Sequence, residues 1–194
     1  RDHVLASVAS REQPAPPQRP RQVFHFTPLD RQRHAKLRWR RPADYSFASH
    51  DAVIPLLGHE VRAAALAMPL GLSVAGAGFL PVAIQSLEPD RNAFVSPGGQ
   101  WLAAFQPAGY AAYPLGITAA GGQQVLCFDR NSDLVGEDEG EPFFDDQGRL
   151  TARTAAVLER LNQTQSARAA TLKASSALQR HGLVQPWPIR DPVR

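Results

Sequence analysis

The chain has 194 residues, 43% of them hydrophobic, and a formal net charge of +3. That is enough for one hydrophobic core, and too little charge for bulk attraction to nucleic acid. The single cysteine, Cys127, excludes an intramolecular disulfide and a cysteine-based zinc site, and no apolar run reaches the roughly 18–20 residues of a membrane span.

Charge is unevenly spread. Residues 1–41 hold ten Lys or Arg against three acids, and residues 129–146 hold eight acids against one Arg. The expectation is a solvated leader and a solvated loop, with mutual attraction or separate partners as the other readings. No signal-peptide pattern is read at the start, and lone Cys127 fits a reducing compartment, so the expected location is cytoplasmic.

In chain order, residues 1–22 read as a Pro/Arg-rich disordered tail: Pro14, Pro16, Pro17 and Pro20 leave no apolar period to bury. A single domain is expected over residues 23–184, and an irregular tail with Pro186, Pro188 and Pro192 over residues 185–194. Between His34 and Arg40 the period is two. Ala35, Leu37 and Trp39 share one face, and Lys36, Arg38 and Arg40 the other, which predicts a half-buried strand with a basic outer face.

Ala52–Leu57 predicts a short apolar strand. Residues 58–68 change to a helical period, with Val61, Ala64, Ala65 and Met68 on one face, Glu60 in the dipole-favoured first turn and Pro69 as the stop. Strands are predicted at Leu72–Val74 and Val82–Ile84, with Gly76, Gly78 and Pro81 marking the bend between them. Two hairpins follow. One joins residues 92–95 and 100–105 across Ser96–Gly99; the other joins Ile117–Thr118 and Gln124–Phe128 across Ala120–Gly122. Residues 151–181 predict helix, N-capped by Thr151 and ended by Gly182. Leu158 and Leu161 share a face in its first half, and Ala169 and Leu172 in its second. The weaker formers Asn162–Ser166 predict two helices with a break, or one bent helix. The fold class is α+β: an antiparallel, hairpin-rich sheet with one short central helix and C-terminal helices.

Catalytic motifs fail one by one. Gly71-Leu-Ser73-Val-Ala75 lacks the second glycine of a nucleophile elbow. Asp129-Arg-Asn131-Ser-Asp133 starts like a calcium loop, but Leu134 and Gly140 stand where glycine and a bidentate glutamate are needed. Gly76 and Gly78 lack the third glycine of a dinucleotide loop, and Lys36 and Lys173 sit in no P-loop context. Cys127 lies in an apolar run and reads as a small buried hydrophobe. His50–Asp51 with His59 or His25, and with Glu60 nearby, is a set from which an iron site could be assembled, though without the His-x-carboxylate spacing. The run Glu137, Asp138, Glu139 and Glu141 could make a loose calcium or magnesium contact but reads first as a solvated acidic loop. Trp39 alternates away from Arg38 and Arg40, which argues against a nucleic-acid stacking platform. Tyr110 and Tyr113, between Pro107 and Pro114, would emerge on one side of a helical turn and suit a cleft, a subunit contact or a core corner.

The phrases Ala43-Asp44-Tyr45-Ser46-Phe47-Ala48, Ile54-Pro55-Leu56 and Gly58-His59-Glu60 resemble those of the SapC-like proteins of bacteria. So do Asn92-Ala93-Phe94-Val95 with Gly99-Gln100-Trp101, and Pro107-Ala108-Gly109-Tyr110 with Tyr113-Pro114. Val125-Leu126-Cys127-Phe128-Asp129 and Gly140-Glu141-Pro142-Phe143-Phe144 continue the order, so the resemblance spans roughly residues 26–187. The chain departs from the family pattern at Ala111 and Ala112, where relatives carry basic residues, and at Leu70 and Gly71, where they carry aromatic ones. The resemblance implies association with surface-layer, outer-membrane uptake or peptide-modification systems, and brings no catalytic residues with it.

The leading expectation is therefore a non-catalytic accessory protein that binds a protein or peptide partner and needs no cofactor. The contact cleft is expected at Asp44, Tyr45, Trp101, Tyr110 and Tyr113. The alternatives are a metal-dependent oxygenase-like enzyme using His50, His59 and Glu60, and a subunit of a homo-oligomer.

Overall fold

The computed structural model describes residues 25–76, 78–120 and 123–186. The predicted leader (1–22), the centre of the second hairpin turn (Gly121–Gly122) and most of the C-terminal tail lie outside the described residues.

Three antiparallel sheets of three strands and one long helix form the α+β framework. The first sheet has the order β1 (Phe26–Pro28), β7 (Gln123–Asp129), β6 (Leu115–Ala120). The second is built from β3 (Val53–Pro55), β5 (Gly78–Ile84) and β4 (Leu70–Ala75), with β5 central. The smallest joins β8 (Val135–Gly136), β2 (Arg38–Trp39) and β9 (Glu141–Pro142). The central strands β5 and β7 are covered on both faces, so each reads as an unbroken apolar run: Leu80–Ala83 and Leu126–Phe128 are buried throughout.

Two hydrophobic cores result. One gathers Trp39, Leu115, Leu126, Phe128, Phe143 and Val157. The other gathers Ala48, Ile54, Leu56, Ala64, Met68, Ala83 and Tyr110. Helix α2 (Ala152–Arg180) spans both. Its N-cap Thr151 accepts from Thr154 N, and the Thr154 hydroxyl, fully buried, accepts from Trp39 Nε1 at 3.0 Å. Seventeen residues later, about 26 Å along the axis, Thr171 Oγ1 accepts from Gly58 N at 2.8 Å. The helix ends in a Schellman motif: Gly182, at φ +67°, donates to Gln179 O, and Leu183 N donates to Leu178 O.

Several expectations are corrected. The C-terminal helical run does not break at Asn162–Ser166. Thr164 and Ser166 turn their hydroxyls back to the carbonyls of Arg160 and Asn162, at 2.9 and 3.1 Å, so these polar side chains are satisfied inside one continuous helix. Its second-half inner face is Thr171, Leu172 and Ser175, while Ala169 is exposed.

Residues 34–37 are a turn, not a strand. Asp30 Oδ1 accepts from Gln32 N and Arg33 N, and Asp30 N donates to His34 Nδ1, which winds the chain before β2. Trp39 does point inward, with Arg40 outside. The short central helix, α1, is only Val61–Ala64. Beyond it the bonds alternate between three- and four-residue spacing until Pro69, whose carbonyl already accepts from Ile84 N.

Pro81 sits inside β5 rather than at a bend. Its carbonyl accepts from Leu56 N on the side where β3 has just ended at Pro55, so its missing N–H would meet no strand partner there. Residues 92–105 form a clasped loop with one bridge, Val95–Trp101, because side chains take the backbone bonds: Asn92 Oδ1 accepts from Phe94 N, and Ser96 Oγ from Gln100 N. The other predicted hairpin is present as β6–β7.

The basic and acidic stretches meet in part. Arg40 pairs with Glu139 at 3.1 Å, and Arg38 donates to Gly140 O at 3.0 Å. The Arg40 pair is exposed, so it contributes little to stability. Among the described residues, no helix is long and apolar enough to cross a membrane.

Thr171→Val keeps the shape but leaves Gly58 N–H without its acceptor. Urea unfolding should show a loss of about 1–3 kcal/mol, with Thr171→Ser close to the parent. Equal stability of Thr171→Val and the parent would show that this junction does not hold the helix.

Candidate functional site

Where the two cores meet, the middle of α2 stands away from the sheets and leaves a cleft of about 590 Å³. Phe47, Ile54, Leu56 and Leu115 form much of its apolar wall. Asp51, Tyr110 and Tyr113 stand among them, and Thr164, Gln165 and Arg168 face in from α2.

The positions of these side chains follow from buried hydrogen bonds. Glu60 is 6% exposed. Its Oε2 accepts from Leu57 N at 2.7 Å and its Oε1 from Ala108 N at 2.8 Å. It thereby fixes the short 3-10 turn Ala108–Tyr110 against the turn before α1. That turn presents Tyr110, and the following Tyr113 precedes a cis peptide to Pro114. Tyr113 donates to Asp129 Oδ2 at 3.2 Å, while Asp129 Oδ1 accepts from His25 N and Asn131 N. Asn92, 4% exposed, donates through Nδ2 to Ala48 O and so secures the 3-10 turn Ser46–Ala48 that carries Phe47 and leads to Asp51.

Aromatic rings back this wall. Phe47 stacks on Tyr113 with centroids 4.2 Å apart and planes 6° from parallel. Tyr110 stands edge-on to Phe47 at 5.7 Å and to Trp101 at 5.8 Å, and Tyr45 packs on Trp101 at 5.4 Å. Each such pair adds roughly 0.5–1.5 kcal/mol beyond its area.

The polar centre of the wall is Asp51 with Tyr110 and Gln85. Tyr110 donates to Gln85 Oε1 at 2.8 Å, deep in the protein. Gln85 Nε2 is buried and has no partner among the described residues. Burial pushes the Asp51 carboxyl up to about 6, with Tyr110 and His50 holding it from rising further. Burial likewise raises the Tyr110 and Tyr113 phenols, so both remain protonated donors at neutral pH. Asp51 lies close enough to Tyr110 for the phenol to favour its ionised form, against the burial that favours the protonated one. An ionised Asp51 competes with Gln85 for the one Tyr110 proton.

The sequence-predicted residues divide. Tyr110 and Tyr113 line the cleft. Tyr45 and Trp101 join them in the aromatic cluster but stand behind the wall. Asp44 is exposed, and Ser46 N–H holds its carboxyl below the usual range. Its neighbourhood explains the Gly-Gln-Trp phrase: Gly99 has φ +78°, and a Cβ there would lie 2.5 Å from Ser46 Oγ and 2.7 Å from Asp44 Cγ.

The proposed metal set does not assemble. His50 donates from Nδ1 to Asp90 O, His59 is exposed, and Glu60 spends both oxygens on backbone N–H groups. Among the described residues no group of three or more His, Cys, Asp or Glu is placed to hold a metal ion. Cys127 is buried and its thiol is pushed up to about 11, so it is protonated at neutral pH. Sequence reasoning used Asp51 only as a metal ligand and missed Gln165 and Arg168. An isolated acid between a turn and an apolar strand was the available signal for Asp51; Gln165 lay in the stretch taken for a break, and Arg168 just beyond it.

A family model described as SapC matches residues 29–191. No curated protein and no solved structure matches the chain.

Asp51 binds a proton more tightly folded than unfolded. Its contribution is therefore complete below the unfolded value near 3.8 and lost as pH rises through about 6. The stability of the parent relative to Asp51→Asn should fall by on the order of 2 kcal/mol between pH 4 and 7, measured by chemical unfolding. A difference independent of pH would place Asp51 in solvent.

Proposed function

Since the chain belongs to the SapC family, we propose that it is a non-catalytic binding protein of a bacterial surface-layer, uptake or peptide-modification system, acting in the cytoplasm on a protein or peptide partner. The observation that carries this reading is the cleft at the junction of the two cores. Its walls are mainly apolar, it is open to solvent, and its few polar groups converge from opposite sides. That is the usual composition of a recognition site. Three polar wall groups are already engaged: Glu60 by two backbone N–H groups, Tyr113 by Asp129, and the Thr164 hydroxyl by Arg160 O. They hold shape and orient a bound segment.

The rest of the predicted contact set fits as support. Tyr45 and Trp101 stiffen Tyr110 from behind, Tyr45 N donates to Gly99 O of the loop that carries Trp101, and Asp44 accepts from Ser46 N beside that junction. A rigid aromatic wall lowers the entropy lost on binding.

Thr164→Trp places an indole in the cleft from the solvent-facing helix. Purified parent protein should retain a product of a neighbouring gene in co-purification, and Thr164→Trp should reduce retention more than tenfold at unchanged thermal stability. Equal retention by both proteins, or no partner among the neighbouring products, would contradict the reading.

A further inference from the structure

Arg168 is a charged group of the cleft that the fold does not account for. It is half-buried in the wall, and among the described residues its guanidinium has no ion pair or hydrogen bond. Along α2 its neighbours at three- and four-residue spacing are Thr164, Gln165, Thr171 and Leu172, so the helix supplies no carboxylate. Two acids share the cleft, yet neither serves it. Glu60 is held by Leu57 N and Ala108 N, and no ion pair joins Arg168 to Asp51. One turn earlier the Gln165 amide is equally uncommitted among the described residues.

A cation partly removed from water and left without a counter-charge costs free energy. The planar guanidinium matches a carboxylate with two parallel bonds. Asp51 and Glu60 in the same cleft disfavour a doubly charged phosphate, so a singly charged anion fits better. Most of the remaining wall, Phe47, Ile54, Leu56 and Leu115 among it, is apolar. We infer that the cleft is a carboxylate site, in which Arg168 and Gln165 hold one carboxylate of an otherwise apolar ligand. Resting on the binding reading above, that ligand is the apolar C-terminal end of a peptide partner. A free aliphatic acid offers the same chemistry.

The test is calorimetric titration of the full chain with three probes: N-acetyl-Leu-Leu as the free acid, its C-terminal amide, and octanoate. The free acid should bind at least tenfold more tightly than the amide. Arg168→Gln should reduce the free acid to the level of the amide, and Arg168→Lys should restore part of the difference. Octanoate binding with the same dependence on Arg168 also supports the carboxylate site and assigns it to a free acid rather than a peptide end. Equal binding of acid and amide, insensitivity to Arg168→Gln, or no binding of any probe overturns the inference. Partner retention that is sensitive to Thr164→Trp but indifferent to Arg168→Gln would sink this assignment alone and leave the binding reading standing.

Discussion

Helix α2 is tied to one core where Trp39 donates to Thr154 and to the other where Gly58 donates to Thr171. This helix does not carry a plain apolar stripe on its buried side. Its inner face meets backbone and indole N–H groups at both ends, and hydroxyls answer them. Thr154, Thr171 and Ser175 are buried, while Val157 is the buried apolar side chain of the same face. Val157, Leu158 and Leu161 still pack on the first core, and beyond them Thr164, Gln165 and Arg168 face the cleft before the second junction. The site is thus a consequence of the packing and not an addition to it.

The facing wall is organised by buried polar side chains that join segments distant in sequence. Glu60 joins the turn before α1 to the turn at Tyr110. Asn92 joins the clasped loop to Ala48, and Asp129 joins β7 to Tyr113. Each satisfies several backbone or hydroxyl groups at once, so removing one leaves more than one group unpaired. The phrases that mark the family are in large part these junctions. Gly-His-Glu meets Pro-Ala-Gly-Tyr through Glu60, and Cys-Phe-Asp meets Tyr-Pro through Asp129. Ala-Asp-Tyr-Ser meets Gly-Gln-Trp where Tyr45 N donates to Gly99 O.

How much of this was legible in the sequence depended on whether the signal was local. The β6–β7 hairpin, the inward Trp39, the Thr151 cap and the Gly182 stop rest on short-range chemistry and were readable. The strand expected at residues 34–37 was not there, because Asp30 and His34 capture the backbone that alternation assigned to a sheet. Asn162–Ser166 has weak helix propensity, yet its hydroxyls are satisfied within the helix and both flanks are anchored by tertiary contacts. Tyr110 and Tyr113 were legible as a pair on one side of a turn. Asp51, Gln165 and Arg168 were not, since only the fold brings residues 51 and 168 to one cleft. The family itself was visible in the order of its phrases, and the match over residues 29–191 bears that out.

The central claim is that one unbroken helix spans both cores and walls the cleft at its middle. Amide hydrogen exchange on the full chain tests it most directly. The account predicts that residues 160–168 are protected to a degree comparable with residues 155–158 and 171–176. Rapid exchange confined to residues 162–166, with slow exchange on both sides, would mean two helices and no continuous wall, and would contradict it.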